Sequence, residues 1–423
     1  MNVFKFGGAS VKDAGAIENT ARIIARYAAA QTVVVVSAMG KTTNALEAVL
    51  HAWYTPGGNP VERLAPVRKF HFDIMQALFP AGHPVFTAVE NRFQQVAQLL
   101  AQPPSGRFDF DYDRLVSAGE LLSTAIVGAW LNERQIETHP CDARRLIITD
   151  DHWREANIDW PATEKAIREK AGAVFGLPAG CAVLLTQGFI GATPDGRATT
   201  LGREGSDYTA AIFSYALDAE KMTVWKDVPG VLNADPKRFA DTVLLPHISY
   251  GEAIELTYYG ATVIHPKTIK PLQNKRIPLH VRSFLQPESP GTLITADADG
   301  APSLPSFIVK SNQRLISIAP KDFSFMAEQN LSDIFAAFAK AGVRINMMQN
   351  SAISFTACVA DDAPKIGRLF DGLTRLFTIK YNAGLTLLTI RHWTPEAIEK
   401  MTAGKNILLE QRNRTTIQIV MEH

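Results

Sequence analysis

Short apolar, β-branched runs alternate along the first two thirds of the chain with longer stretches in which apolar residues recur every three or four positions. That alternation predicts strands followed by helices, and so a mostly parallel sheet with helices on both faces. Asn2 to Phe6 reads as a strand, Gly7-Gly8-Ala9-Ser10 as a turn, and the next stretch as a helix with Ile17, Ala21, Ile24 and Tyr27 on one side. Val33 to Val36 is a run suited to a buried parallel strand, and it ends in Ser37-Ala38-Met39-Gly40 before a helix containing Thr43 and Asn44. A third unit runs from the strand Val183 to Thr186 through the Pro-Asp-Gly turn at 193–197. It continues through Gly202-Arg203-Glu204-Gly205 into a helix for which Ser206-Asp207 are the expected cap. Small-residue turns of this kind gather at the carboxyl edge of an open α/β sheet, where ligands bind.

Between these units, Leu46 to Leu100 has helical periodicity broken by proline-rich turns, and Leu115 to Ser123 reads as one helix with Glu120 near its start. Met222 to Asp227 is a strand leading into a Pro- and Gly-containing loop that ends near Lys237. Gly251 to Ala261 is helical and closed by Ile264-His265-Pro266-Lys267, Pro278 to Val281 reads as the last strand, and Pro287 to Pro305 as a connection. Beyond it the pattern is strand Leu315 to Ala319, helix Ser332 to Ala341, strands Val343 to Met348 and Ile353 to Ala360, and helix Lys365 to Leu376. Strands Leu385 to Arg391, Ile407 to Glu410 and Thr416 to Met421 follow, with a short helix within Thr394 to Lys405. This is βαββ twice, the second copy shortened. We expect Ser306 to Gln313 to complete its sheet.

A length of 423 residues with 46% hydrophobic composition is more than one core usually serves, which predicts two or three domains. With 43 Lys and Arg against 42 Asp and Glu, charge supplies no reason to expect a nucleic-acid or membrane partner. Small ligands are expected instead. Cys141, Cys181 and Cys358 stand far apart without metal-ligand spacing, so they read as buried thiols, and no metal site is expected from the protein's own residues. No run approaching the ~20 apolar residues of a membrane span is evident, and a cytoplasmic location is the expectation.

The candidate chemistry lies in the turns. A helix start at 205–207 offers unpaired N–H groups and a positive dipole end to an anion, and Arg203 adds a fork suited to a carboxylate. Lys5 aims a cation at the same edge, and Glu120, in a small and apolar stretch, is suited to an ammonium group. Asp227 and Lys237 flank a loop that can clasp a nucleotide, one accepting from ribose or base and the other reaching phosphate. Neither a P-loop nor a dinucleotide-binding glycine pattern is present. His71 and His83 have no matched partners and read as packing or surface residues.

Taken together, Lys5-Phe6-Gly7-Gly8-Ala9-Ser10, Ser117-Ala118-Gly119-Glu120 and Thr200-Leu201-Gly202-Arg203-Glu204-Gly205-Ser206-Asp207 resemble the aspartate kinases of the amino-acid kinase fold. The likeness continues through Asp227-Val228-Pro229-Gly230 and Gly260-Ala261-Thr262-Val263-Ile264-His265-Pro266. The resemblance implies a catalytic domain over 1–295 that moves the γ-phosphoryl group of ATP, with Mg²⁺, to the β-carboxylate of L-aspartate, the first step toward lysine, threonine and methionine. It implies that Lys5 stabilises the moving phosphoryl group and Asp207 organises that lysine, and that Arg203 and Glu120 hold the two ends of aspartate beside Ser37 and Thr43. Gly7, Gly8 and Ser10 would donate to phosphate, and Asp227, Leu232 and Lys237 would form the nucleotide loop. Relatives often have threonine at Lys226, lysine at Thr262 and glycine at Glu204; these reciprocal changes point to Lys226, or Lys267, as the substitute phosphate contact.

The tail, 306–423, resembles paired ferredoxin-like ACT regulatory modules, the first at 314–382 and the second at 383–423 plus 306–313. Such modules imply a homodimer and an end-product amino acid as effector. Asn346 and Ser351 are the effector candidates, although lysine-sensing relatives tend to carry acids at Asn346 and Ala352. Two alternatives stand beside this reading: an amino-acid kinase with another carboxylate acceptor, and a non-catalytic amino-acid sensor.

Overall fold

The computed structural model describes residues 1–176, 182–261, 264–298, 304–322 and 324–422. The chain divides into two compact units, the first comprising Met1–Val231, Leu244–Ile254 and Thr262–Ala301, the second Leu232–Val243, Glu255–Ala261 and Pro302–His423. In chain order the first part holds β1 (Asn2–Phe6), α1 (Ala14–Tyr27), β2 (Gln31–Val36), α2 (Thr42–Tyr54), α3 (Pro60–Leu78), α4 (Pro84–Leu100), α5 (Phe108–Val116) and α6 (Ala118–Glu133). There follow β3 (Thr138–Cys141), α7 (Trp160–Phe175), β4 (Ala182–Gln187), β5 (Ile190–Ala192), β6 (Ala198–Thr200), α8 (Gly205–Ala216), β7 (Lys221–Lys226), β8 (His247–Ser249), α9 (Tyr250–Tyr259), α10 (Pro266–Lys275), β9 (Leu279–Ser283) and β10 (Thr292–Thr295).

Eight of these strands form one sheet in the order β3-β4-β2-β1-β7-β9-β10-β8, parallel throughout except where β10 runs against β9. The β-branched run Val33–Val36 is fully buried, as a strand covered on both faces requires. β1 lies between β2 and β7 at the centre, so Lys5 stands in the middle of the sheet and is 7% exposed. The core beside it includes Phe4 and Phe6, which pack edge-on and stacked against Trp225 at 5.9 and 6.1 Å.

Several expectations need correction. The segment 287–305 is more than a connection, because Thr292–Thr295 pairs with both β9 and β8. The expected helix 115–123 is two helices divided at Ser117. Phe108–Glu133 as a whole is long and apolar enough to cross a membrane, contrary to the reading of the sequence, but it packs as core and 72% of its apolar window is buried. His265-Pro266 opens α10 rather than closing a helix, with the His265 ring accepting from the Lys267 N–H. α8 begins at Gly205, one residue after a left-handed Glu204, so Ser206 and Asp207 lie inside its first turn instead of capping it. Cys141 and Cys358 are buried free thiols, while Cys181 and Thr262 lie outside the described residues. His71 is buried in α3 against the Val67 carbonyl, and His83 caps α4.

The second unit is built on one antiparallel sheet of β11 (Ser306–Pro320), β12 (Ile345–Asn350), β13 (Phe355–Ala360), β14 (Phe377–Arg391), β15 (Ile407–Arg412) and β16 (Thr416–Met421), with α11 (Glu328–Ala341), α12 (Ala363–Leu373) and α13 (Pro395–Thr402). Its order is β12-β13-β11-β14-β16-β15. β11 and β14 are each fifteen residues long and serve both copies of the βαββ pattern. The far half of β11 pairs with β13 and with Phe377–Asn382, whereas Ser306–Lys310 pairs with Leu387–Arg391. Register shifts between Lys310 and Leu315 separate the halves. Ser306 to Lys310 therefore supplies the strand that the shortened second copy lacks.

Candidate active site

The three turns expected at the carboxyl edge of the first unit meet. Ser37 N–H donates to the Phe6 carbonyl at 3.1 Å, and Gly40 N–H to the Gly8 carbonyl at 3.0 Å, which stitches the turn after β1 to the turn after β2. A side chain at Gly8 would stand 2.8 and 2.9 Å from the Gly40 and Ala38 carbonyl oxygens, so this approach requires glycine. Gly119 lets α6 come equally close, since a Cβ there would lie 3.0 Å from the Ala38 methyl. The result is a cavity of about 840 Å³ whose walls include Lys5, Gly8, Ser37, Thr43, Glu120, Arg203 and Glu204.

Two buried acids serve this space, each in the first turn of its helix: Glu120 lines it and Asp207 lies behind the lining Lys5, and their surroundings drive them apart. Asp207 on α8 is fully buried; Lys5 Nζ lies 2.6 Å from one oxygen and Lys226 Nζ 3.2 Å from the other. Burial alone pushes its carboxyl up, but the two ammonium groups outweigh that and hold it well below the usual carboxylate range. Glu120 on α6 is 2% exposed and, among the described residues, has no ion-pair partner. One oxygen accepts from Ala38 N–H at 3.3 Å, and the other has no partner. Burial pushes this carboxyl up to about 8, and the Ala38 N–H offsets it only in part. Glu120 is thus a buried acid with a bonding position left open, the arrangement that receives an ammonium group.

The remaining expected residues are distributed as follows. Arg203 lines the cavity between Gly202 and the left-handed Glu204. Lys226, at the end of β7, faces Asp207 and stands 3.8 Å from Glu204, whereas Lys267 pairs with Glu155. Gly7 comes directly after β1, and a Cβ there would stand 3.4 Å from Lys5 Nζ. Ser10 needs correction as a phosphate donor, because its hydroxyl is buried and turned to the Trp225 carbonyl at 3.4 Å. Asp227 is exposed in the turn after β7, and Leu232 and Lys237 fall in the 232–243 segment of the second unit. In that unit Asn346 is bonded through its side chain to Lys310 at 2.9 Å and to Gln313 at 2.8 Å, while Ser351 sits in the hairpin turn with Ser354; the two candidates are not brought together.

Sequence reasoning overlooked one wall. His152, Trp153, Arg154 and Glu155 line the cavity together with Tyr112, whose hydroxyl donates to Glu47 at 2.9 Å and whose ring lies under the Arg154 guanidinium at 4.4 Å. Asp113, fully buried beside them, accepts from Thr200 N–H and hydroxyl at 2.9 and 2.6 Å and from Arg154 N–H at 3.0 Å. Burial pushes its carboxyl up to about 6. The charged and aromatic cluster Asp151-His152-Trp153-Arg154-Glu155, outside any periodic segment, was the available signal.

The sheet order, the stitched glycine turns and the lysine-bracketed Asp207 define a kinase of the amino-acid kinase class, and the sequence pattern described as "Amino acid kinase family" matches residues 1–283. The chain is 31% identical over 353 residues to lysine-sensitive aspartokinase 3 of Escherichia coli (strain K12), covering 83% of this chain and 76% of that one. It is 32% identical over 367 residues to chloroplastic aspartokinase 1 of Arabidopsis thaliana, covering 84% of this chain but only 62% of that longer protein. Among solved structures it matches E. coli aspartokinase III in complex with lysine and aspartate (TM-score 0.84, 27% identity, 99% of this chain and 95% of that). It also matches the same enzyme in complex with aspartate and ADP (TM-score 0.83, 27% identity, 100% and 96%). The chain belongs to the amino acid kinase family, in its aspartokinase branch.

Proposed function

We propose that this protein transfers the γ-phosphoryl group of ATP to the β-carboxylate of L-aspartate, giving 4-phospho-L-aspartate and ADP. The observation that carries the reading is a pair of buried acids at one cavity: Glu120 in its wall with an open oxygen, and Asp207 buried behind the wall, paired with the lining Lys5 and with Lys226. Glu120 receives the aspartate ammonium and Arg203 its α-carboxylate, with Ser37 and Thr43 along the same wall. The β-carboxylate is already a nucleophile, so no general base is needed. One of its oxygens bonds to the γ-phosphorus as the bond to the ADP oxygen breaks, and catalysis consists of alignment and charge stabilisation. Lys5 and Lys226, held by Asp207, supply fixed positive charge, Lys5 for the equatorial oxygens of the moving group and Lys226 for the phosphate oxygens that ADP keeps. Mg²⁺ would enter as part of MgATP, carried by the phosphates.

The second unit suits pairing with another copy of itself, as ACT modules do. Phe325, Met348 and Ile353 are exposed by 75%, 47% and 55%, and β12 is an edge strand. An end-product amino acid is its expected effector. The E. coli relative's complex with lysine supports that class, while Asn346, bonded to Lys310 and Gln313, speaks against lysine itself.

Purified protein incubated with MgATP and hydroxylamine, which traps acyl phosphates, tests the reaction. Hydroxamate is expected with aspartate and not with glutamate, acetylglutamate or no acceptor. A signal confined to another acceptor rejects the substrate, and silence with all of them rejects the kinase reading.

A further inference from the structure

Glu204 is the residue that this reading of the site leaves unexplained. It holds a left-handed backbone, φ 56°, that a residue with a Cβ adopts at some cost, and it lines the cavity. Its carboxylate oxygen lies 3.8 Å from Lys226 Nζ, and Lys226 in turn is 3.2 Å from Asp207. A carboxylate placed where phosphates must arrive repels them, so its presence needs a role.

We propose, resting on the nucleotide role given to Lys226 above, that Glu204 is a built-in counter-anion that occupies the Lys226 ammonium in the free enzyme. The nucleotide phosphates displace it, and it takes up a proton as they bind. Three charged groups face it: Lys226 from β7, Asp207 from α8 and Lys5 from β1. Burial raises the Glu204 carboxyl above its ordinary range. Lys226 and Lys5 oppose that rise, and Asp207 adds to it. When phosphate oxygens take Lys226, Glu204 loses its main stabilising cation and gains further negative neighbours. Both changes favour the protonated acid. Asp207 does not share this fate, because Lys5 stays at 2.6 Å on its other oxygen. The device screens Lys226 while the site is empty and makes nucleotide affinity depend on pH.

The experiment is calorimetric titration of the whole protein with ADP, in buffers of different ionisation enthalpy, between pH 6.5 and 8.5. Wild type should take up a substantial fraction of a proton at the upper end of that range, and its ADP affinity should fall as pH rises. Glu204→Gln should abolish the uptake, flatten the pH dependence and tighten ADP binding at pH 8.5 by roughly tenfold, the factor that a one-unit shift of a single carboxyl represents. Unchanged proton uptake in Glu204→Gln, or weaker ADP binding, overturns the proposal. Lys226→Met separates it from the reading beneath it. Unaltered ADP affinity in that variant removes Lys226 from the nucleotide site and the proposal with it. Weakened affinity together with unchanged behaviour of Glu204→Gln rejects the role of Glu204 alone.

Discussion

Replacing Glu120 by glutamine should make the protein more stable and at the same time nearly unable to use aspartate. The shape is preserved, and the change is one of charge. Glu120 titrates near 8 in the folded protein against an ordinary 4.5, because burial leaves its charged form with backbone N–H groups and, among the described residues, no ion-pair partner. Between those two pH values the native state binds more protons at this position than the unfolded chain does. Stability is therefore untouched below about pH 4.5, falls as pH rises through the window, and is fully reduced above 8. Glutamine does not ionise, so at pH 8 the variant escapes a penalty of roughly 3 to 5 kcal/mol at most, and near pH 5 the two proteins should differ little. Removing one partner of a desolvated ion pair costs about 2 to 4 kcal/mol of substrate binding, or roughly 30- to 1000-fold in kcat/KM for aspartate, with ADP affinity unchanged. Wild-type kcat/KM for aspartate should rise with pH toward 8, since only the ionised acid attracts the ammonium. Thermal melts at pH 5 and 8, hydroxamate rates against aspartate concentration, and ADP titration measure these separately. A variant that melts lower at pH 8, or keeps the wild-type KM for aspartate, refutes the reasoning.

Asp207→Asn leaves Lys5 and Lys226 facing a neutral amide in a buried site, which should cost about 3 to 5 kcal/mol of stability and at least 100-fold in kcat; denaturant melts and single-turnover rates report the two effects. Gly8→Ala places a methyl against two backbone carbonyls that cannot move aside cheaply, and should destabilise by about 1 to 3 kcal/mol and raise the KM for ATP. Removing residues 306–310 takes a strand from the second module, so amide exchange should accelerate at Leu387–Arg391, which lose their β11 partner, while Phe355–Ala360, paired with the other half of β11, should stay protected.

Much of the first unit was legible because its local signals agreed with its tertiary roles. Val33–Val36 could be read as a buried parallel strand from composition alone, and the glycines at 7, 8, 40 and 202 marked the turns. What escaped had conflicting or distant causes. Thr292–Thr295 is a four-residue strand amid Pro, Gly and Asp, and its pairing partners, 279–281 and 247–249, lie outside any local window. Ser117 passed as mid-helix because the break between α5 and α6 uses no proline or glycine. The wall made by Tyr112 and Arg154 depends on a contact across forty residues. The hydroxyl of Ser10 turned inward for a reason spacing does not show: the Trp225 carbonyl on the neighbouring strand was available to it.

The two buried acids of the site show most sharply where sequence reading stops. Glu120 and Asp207 occupy the same position in the first turn of their helices, both after small residues and both buried, so local pattern assigns them alike. What separates them is the strands they face. β1 and β7 each deliver a lysine to Asp207, while among the described residues Glu120 meets backbone N–H groups, that of Ala38 after β2 and its own, and no ammonium group. In the proposed reaction one acid is therefore a fixed anion that positions cations for phosphoryl transfer, and the other an incomplete ion pair that the substrate would finish. Exchange of those environments would exchange the roles, with no change in either helix. It follows that the choice of acceptor depends on a cation being absent beside Glu120 as much as on the acid being present. A lysine introduced there, at the half-buried Ser37 for instance (Ser37→Lys), should abolish aspartate binding while leaving ADP bound to the other side of the same cavity.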